Sequence, residues 1–300
     1  MTKLLIIGGT GFFGKSILDS FQRNLLSNFG IDRIVVGARN IESFQNNFPE
    51  LIDHRITVIK MDISSIRKLP DADIVIHAAA STDASDYRIN PNGEKRNIEQ
   101  STINYCQLAQ LYHRASKIVY CSSGAVYGQQ PDDLEKMDED FQPQDVSNLI
   151  EYKRDYALGK RNAENEITKL GSLGLNVSIA RCFAFHGKYL PRDQHFAYGN
   201  FIGAAERGDA IEVKANHQVV RSYMHSDDLV DALMKIALHS SPQCPILNVG
   251  SDEAIEIRDL AKQIGQQYNV PVNIASVTSD KIDRYVPNID KLKELYSNLI

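Results

Sequence analysis

Lys3-Leu4-Leu5-Ile6-Ile7-Gly8-Gly9-Thr10-Gly11-Phe12-Phe13-Gly14 decides how this chain is read. A short hydrophobic strand runs into a glycine cluster, and Lys15-Ser16-Ile17-Leu18 opens a helix. Gly9, Gly11 and Gly14 satisfy the dinucleotide-binding fingerprint. Gly8, Gly11 and Gly14 satisfy the related spacing in which two residues separate each glycine. One glycine makes the sharp strand-to-helix turn, one lets the backbone approach a pyrophosphate, and one lets helix and strand pack closely. The helix N-terminus that follows offers unpaired N–H groups and partial positive charge to phosphates. The competing reading is a glycine-rich turn that binds nothing. The strand before the cluster and the helix after it favour the dinucleotide.

Outward from this point, strand and helix alternate through the first half. Strands are expected at Leu4–Gly8, Arg33–Gly37, Ile56–Met61, Asp73–Ala78 and Lys117–Cys121. Their nearly unbroken Val and Ile cores suit parallel strands buried on both faces. Helices are expected at Phe12–Asn28, at Pro91–Arg114 with its proline in the first turn, and at Glu151–Leu170, which Gly171 and Gly174 stop. Leu175–Ala180 is the next strand. This order predicts an α/β fold, a Rossmann doubly wound parallel sheet whose ligands bind at the carboxyl ends of the strands. After Arg181 the rhythm loosens. Strands at Ile211–Val213, Val219–Met224 and Ile246–Val249 mix with helices at Asn200–Arg207, Asp227–His239, Ile257–Tyr268 and Asp290–Tyr296. The expected division is a dinucleotide-binding Rossmann domain over 1–181 and a smaller substrate-binding C-terminal lobe over 182–300, interleaved with the last strands of the sheet.

The 300 residues are 43% hydrophobic and 24% charged, an ordinary globular balance. A net charge of −5 argues against a nucleic-acid binder, which carries a basic excess. No apolar run approaches the roughly 20 residues needed to cross a bilayer. Leu4–Ile7 is too short for the apolar region of a signal peptide, so no membrane partner and a cytoplasmic location are expected. Cys106, Cys121, Cys182 and Cys244 form no Cys-x-x-Cys pair and read as reduced, buried thiols. The histidines show no paired helical spacing, and no metal site is expected.

Two further signals carry chemistry. In Tyr156-Ala157-Leu158-Gly159-Lys160 a spacing of four puts both polar side chains on one helix face. A phenol titrates near pH 10, and bringing it to about 7 takes roughly 4 kcal/mol. An ammonium about 5 Å away supplies roughly 3 kcal/mol of that at an effective dielectric of 20. An oxidised nicotinamide nearby acts in the same direction, so the pair suits proton transfer beside a dinucleotide. Tyr152 shares this face and reads as packing. The other signal is Val119-Tyr120-Cys121-Ser122-Ser123-Gly124-Ala125-Val126-Tyr127-Gly128. Its serines lie just beyond a buried strand, where a hydroxyl can bond a substrate oxygen; the bland alternative is a Ser-Gly turn.

These pieces, in this order, resemble the extended short-chain dehydrogenase/reductase superfamily. More narrowly they resemble its NAD-dependent epimerase/dehydratase family, which acts on nucleotide-activated sugars. The resemblance covers nearly the whole chain. It implies a catalytic triad of Ser123, Tyr156 and Lys160, with Ser123 rather than Ser122 because it stands four residues before Tyr127. It implies a cofactor site made of Gly8, Gly9, Gly11, Phe12, Phe13 and Gly14, with Asp62 as the adenine-contacting acid and Ile63 beside it. Ala78, Ala79 and Ala80 after His77, then Asn97, Tyr156 and Lys160, complete that site. Arg221, in Arg221-Ser222-Tyr223-Met224-His225-Ser226-Asp227-Asp228-Leu229, matches the arginine that holds the substrate diphosphate, a role that suits a guanidinium fork. Asn248-Val249-Gly250-Ser251 matches a late turn. Lys188 and Arg192 add either charge to the same lobe or surface solvation. A homodimer through a four-helix bundle of Asn97–Arg114 and Tyr152–Leu170 is also implied.

The chain departs from the family in four places. The second strand usually ends near an acid that binds the ribose 2′-hydroxyl of NAD. Here Arg39 favours a 2′-phosphate and puts NADP slightly ahead of NAD, unless it simply leaves the strand into water. Gly124 and Ala125 stand where 4,6-dehydratases of the family carry an Asp-Glu pair, which argues against a dehydratase. Ala184 stands where the family has asparagine. Gln129–Ile150 is a long acidic segment, either a lid or a solvated loop. The function expected is an NAD(P)-dependent nucleotide-sugar epimerase or 4-keto-6-deoxysugar reductase, moving a hydride and a proton at C4. The alternative from another class is a non-catalytic dinucleotide sensor or scaffold.

Overall fold

A computed structural model describes residues 2–80, 88–194 and 196–297. In chain order the first elements are β1 (Thr2–Ile7), α1 (Phe12–Gln22), β2 (Ile31–Ala38), α2 (Ile41–Asn47), β3 (Ile56–Lys60), β4 (Ile74–His77), α3 (Pro91–Tyr112), β5 (Lys117–Ser123), α4 (Glu151–Ser172) and β6 (Asn176–Cys182). The remainder holds β7 (Phe185–His186), α5 (Ala197–Glu206), β8 (Ile211–Val213), β9 (Gln218–Arg221), β10 (Met224–His225), α6 (Ser226–His239), β11 (Ile246–Val249), β12 (Ile255–Glu256), α7 (Ile257–Tyr268), β13 (Val272–Ile274), β14 (Ile282–Tyr285) and α8 (Asp290–Ser297). Among the described residues no helix is long and apolar enough to cross a membrane.

Seven parallel strands form the main sheet in the order β11-β6-β5-β4-β1-β2-β3. The chain builds outward from β1 to β3, then crosses back to lay β4 on the other side of β1. That reversal opens a crevice between the carboxyl ends of β1 and β4, the usual ligand position in such sheets. Side-chain alternation along β1 explains the two-layer core. Leu4 and Ile6 join Ile17, Leu18, Leu229 and Leu233 of α1 and α6 on one face. Leu5 and Ile7 join Ile98, Tyr105 and Ile167 of α3 and α4 on the other.

Residues after β6 make a second, smaller core in which Phe201, Ile211, Val213, Val219, Leu260 and Ile264 meet. Within this region β9 lies between β12 and β14, and β8 pairs with β13. α6 and β11 return to the main sheet from inside it. The doubly wound Rossmann sheet expected from the sequence is therefore present.

Several element bounds need correction. The first helix stops at Gln22, six residues before the expected end, because Asn24 takes a left-handed conformation (φ 61°) and Leu25 N–H reaches back to the Ser20 carbonyl at 2.9 Å. That is a C-terminal cap made by asparagine instead of glycine. β5 runs two residues further than expected, so Ser122 and Ser123 end the strand rather than form a turn. The strand expected over Val219–Met224 is split into β9 and β10. Residues 129–150 are largely exposed, yet a few of them are tied to the core. Met137 N–H bonds Val286 O at 2.9 Å, the Glu139 carboxylate accepts from Asn248 N–H at 2.8 Å, and Met137 packs with Val126 and Tyr127. Asn248, fully buried, also donates to the Met137 and Asn288 carbonyls and accepts from the Tyr127 hydroxyl. All four cysteines are buried and free.

A buried ion pair locks these layers together. Arg181 on β6 donates to the Glu164 carboxylate on α4 at 2.8 Å and lies over the Tyr127 ring, 4.7 Å from its centroid. Ser122 Oγ donates to the same carboxylate at 2.6 Å, and Arg181 Nη1 reaches the Glu139 carbonyl. Removing one partner strands the other charge in the core. Glu164→Ala is expected to cost about 3–5 kcal/mol of unfolding free energy in urea titration. A loss below about 1 kcal/mol would show that Arg181 finds water instead.

Candidate active site

The glycine turn is built by steric demand at three positions and by openness at the fourth. Gly8 has φ +85°, and a Cβ there would approach the Ala79 backbone to 2.7 Å, so β1 and the residues after β4 touch backbone to backbone. A Cβ on Gly14 would collide with the backbone of Gly9, and one on Gly9 with Val36. Gly11 is different. Its φ of −77° suits any residue, and its added Cβ would meet nothing closer than Gly8 O at 3.5 Å. The fold does not need glycine there. Helical bonding begins with Lys15 N–H to Gly11 O at 3.0 Å, so the amides before it lie outside the ladder. No side chain caps this end and no acid sits in its first turn. The positive end of α1 is thus left without a side-chain cap or an acid. Phe12 and Phe13 pack their rings inward, with Phe13 edge-on to Phe185 at 5.3 Å.

The other cofactor candidates follow the neighbouring strands. Arg39 is exposed just past β2, and Asn40 beside it caps α2 by accepting from Ser43 N–H at 3.0 Å. Asp62, after β3, accepts from the Ser64 hydroxyl at 2.6 Å. That bond, with the Ser64 amide and the Arg39 charge, holds its carboxyl below the ordinary range. Ile63 is buried, and its carbonyl accepts from Asn104 at 2.8 Å. Ala78 N–H bonds Ile7 O at 2.9 Å, continuing the ladder past β4; Ala79 and Ala80 follow at half-buried positions. Asn97 is half-buried on α3.

Two of the triad candidates reach the end of β5. Ser123 is its last residue, 8% exposed, and its Oγ accepts from Ala125 N–H at 3.2 Å. Ser122 is tied up with Glu164. Lys160 is buried on α4, its Nζ donating to Cys121 O at 2.8 Å and the Tyr120 hydroxyl at 3.5 Å. Tyr156, one turn earlier, is half-buried. Tyr152 packs on the same core beneath Arg88. Arg221, at the end of β9, bonds the Val220 and Asp283 carbonyls at 2.8 and 2.7 Å and the Asp283 carboxylate at 3.0 Å. Burial alone would raise Asp283, but Arg221, with Lys153 and Lys281, holds it below the usual carboxylate value.

Sequence reasoning missed Asp283 and Tyr285 on β14. Tyr285 tilts against Phe183 with ring centroids 4.6 Å apart and brings its hydroxyl to Gly124. Asp283-Arg284-Tyr285 is too short a stretch to signal a strand, and only its parallel pairing with β9 brings it here. His77 ends β4, 1% exposed, with both ring nitrogens lacking a hydrogen-bond partner. Burial, then the Lys160 charge, push its pKa down to about 3.

A family model described as the NAD dependent epimerase/dehydratase family matches residues 4–250. UDP-glucuronic acid decarboxylase 5 of Arabidopsis thaliana is 27% identical over 98% of this chain and 83% of its own. The dTDP-glucose 4,6-dehydratase of Streptomyces venezuelae, solved with NAD bound, superposes with a TM-score of 0.80 at 19% identity over 97% of this chain and 90% of that one. The UDP-glucose 4-epimerase of Thermotoga maritima, solved with UDP-glucose, gives 0.77 at 17% identity over 97% and 91%. The chain belongs to the NAD dependent epimerase/dehydratase family and is an NAD-dependent enzyme of it.

Two outcomes follow from this geometry. Gly11→Val should fold with a melting temperature near that of the parent yet lose most NAD affinity in calorimetry, whereas Gly14→Val should lose the fold; equal damage from both would deny Gly11 a ligand role. His77 protonates readily unfolded and poorly folded, so stability is complete above about pH 6.5 and falls by about 1.4 kcal/mol per unit as pH drops towards 3. Denaturant titrations of His77→Phe should show that slope flattened between pH 4 and 6.

Proposed function

From that family membership as premise, we propose that the chain is a nucleotide-sugar enzyme acting at C4 of the sugar, as a 4-epimerase or a 4-keto-6-deoxysugar reductase. The observation that carries this reading is the bond from Lys160 Nζ to Cys121 O, two residues before Ser123 at the end of β5, with Tyr156 one turn earlier on the same helix. The turn fits a dinucleotide because Gly11 leaves room for a pyrophosphate that the fold itself does not require. When bound, a nicotinamide dinucleotide supplies hydride exchange at C4. Tyr156 passes a proton to or from the C4 oxygen. Lys160, anchored on Cys121 O, holds its ammonium one helical turn from Tyr156. Ser123 bonds the same oxygen and fixes its distance from the phenol.

Arg221 serves as the diphosphate clamp. Three of its N–H groups are held by Val220 and Asp283, which fixes the plane of the fork and leaves two N–H groups for phosphate oxygens. Arg39 is exposed where an acid would select NAD, and supports NADP slightly over NAD. Gly124 and Ala125 offer no acid to a leaving hydroxyl, so a dehydratase is disfavoured. The Arabidopsis relative favours a second reading, decarboxylation of a nucleotide-linked uronic acid. Oxidation at C4 leaves the C6 carboxylate β to a ketone, and carbon dioxide then departs without an acid at position 124. The reading also carries a cytoplasmic homodimer through α3 and α4, where Leu111 is 73% exposed.

Denaturing freshly purified protein and weighing the released nucleotide tests the cofactor: stoichiometric NAD supports a self-recycling epimerase or decarboxylase, and NADP or an exchangeable site supports the reductase. On nucleotide sugars, Tyr156→Phe should lower turnover by about 10²–10⁴-fold while dinucleotide affinity stays within about twofold. A Tyr156→Phe variant that kept all biological activity would return the protein to the non-catalytic sensor or scaffold.

A further inference from the structure

Position 124 is one of the places where the chain departs from its family, and the structure shows what fills the space. A Cβ on Gly124 would lie 2.7 Å from the Tyr285 hydroxyl and 2.7 Å from Phe183 Cζ. The phenol comes from β14, whose Tyr285 stands opposite Arg221 in the parallel ladder with β9. Phe183 supports its ring from one side at 4.6 Å. A late segment of the chain thus delivers a hydroxyl to the residue next to Ser123.

A serine hydroxyl has one proton to give and two lone pairs to fill. At Ser123 Oγ the Ala125 N–H fills one lone pair at 3.2 Å. The Tyr285 hydroxyl lies against Gly124, the residue that follows Ser123, so the two hydroxyls are neighbours. Burial and the neighbouring Tyr156 both push the Tyr285 phenol above its ordinary range, so it keeps its proton. We propose that Tyr285 is a positioning residue whose hydroxyl donates to Ser123 Oγ, leaving the serine proton free only for the substrate oxygen. This rests on the reading of Ser123 and Tyr156 given above. Without the phenol the serine proton has a second place to go, and the substrate oxygen loses its fixed donor for part of the time.

A double-mutant cycle on the full-length enzyme tests the coupling. Tyr285→Phe keeps the ring on Phe183 and removes only the hydroxyl. It should lower kcat about tenfold, the worth of one hydrogen bond, with KM within about twofold. In a Ser123→Ala background the same change should cost less than about twofold, because nothing is left to aim. Gly124→Ala, which displaces the hydroxyl from the other side, should reproduce the kcat loss of Tyr285→Phe. Wild-type kcat in Tyr285→Phe, or equal losses with and without the serine hydroxyl, would overturn the inference. Undiminished turnover in both Ser123→Ala and Tyr156→Phe would instead sink the reading beneath it, so the two failures separate.

Discussion

The backbone crossing of Gly8 over Ala79 is the constraint on which the rest depends. It sits where the sheet reverses its direction of growth, and no side chain fits between the two strands there. Gly14 against Gly9 then sets the angle at which α1 leaves the sheet. These contacts aim the open end of α1 at the crevice between β1 and β4. Everything else in the site is placed relative to that crevice, because β5 and α4 are the next elements outward from β4.

The second organising feature is the pairing of β9 with β14. Arg221 and Tyr285 are partners in that ladder, and Asp283, two residues before Tyr285, holds the guanidinium. One small ladder therefore places a guanidinium and a phenol on paired positions. Such pairing depends on residues more than sixty positions apart, so only the folded chain brings them together.

This explains which parts were legible beforehand. The first five strands of the sheet were readable because parallel strands buried on both faces must be continuous Val and Ile. The glycine turn was readable because its spacing, between a strand and a helix, is itself a short local pattern. Asn24 ended α1 early because asparagine, like glycine, tolerates a left-handed backbone, and helical periodicity says nothing about that. The acidic segment 129–150 looked solvated because its charges were visible and its partners were not: Asn248 and Val286 lie more than a hundred residues away. Tyr285 was hidden for the same reason.

The position of β11 has a consequence for how the protein is made. β6 lies between β5 and β11, and β11 is synthesised more than sixty residues after it. Until Ile246–Val249 leave the ribosome, β6 is a bare sheet edge, although six of its seven residues are buried in the finished fold. An edge of that kind is a template for pairing with other chains. The nascent chain therefore passes through a stage in which its dinucleotide turn is complete while its sheet is still adhesive, and the time spent there grows with the long excursion that builds the smaller core. Slow translation between residues 183 and 246 would lengthen that exposure and lower the yield of soluble enzyme without touching a single residue of the site.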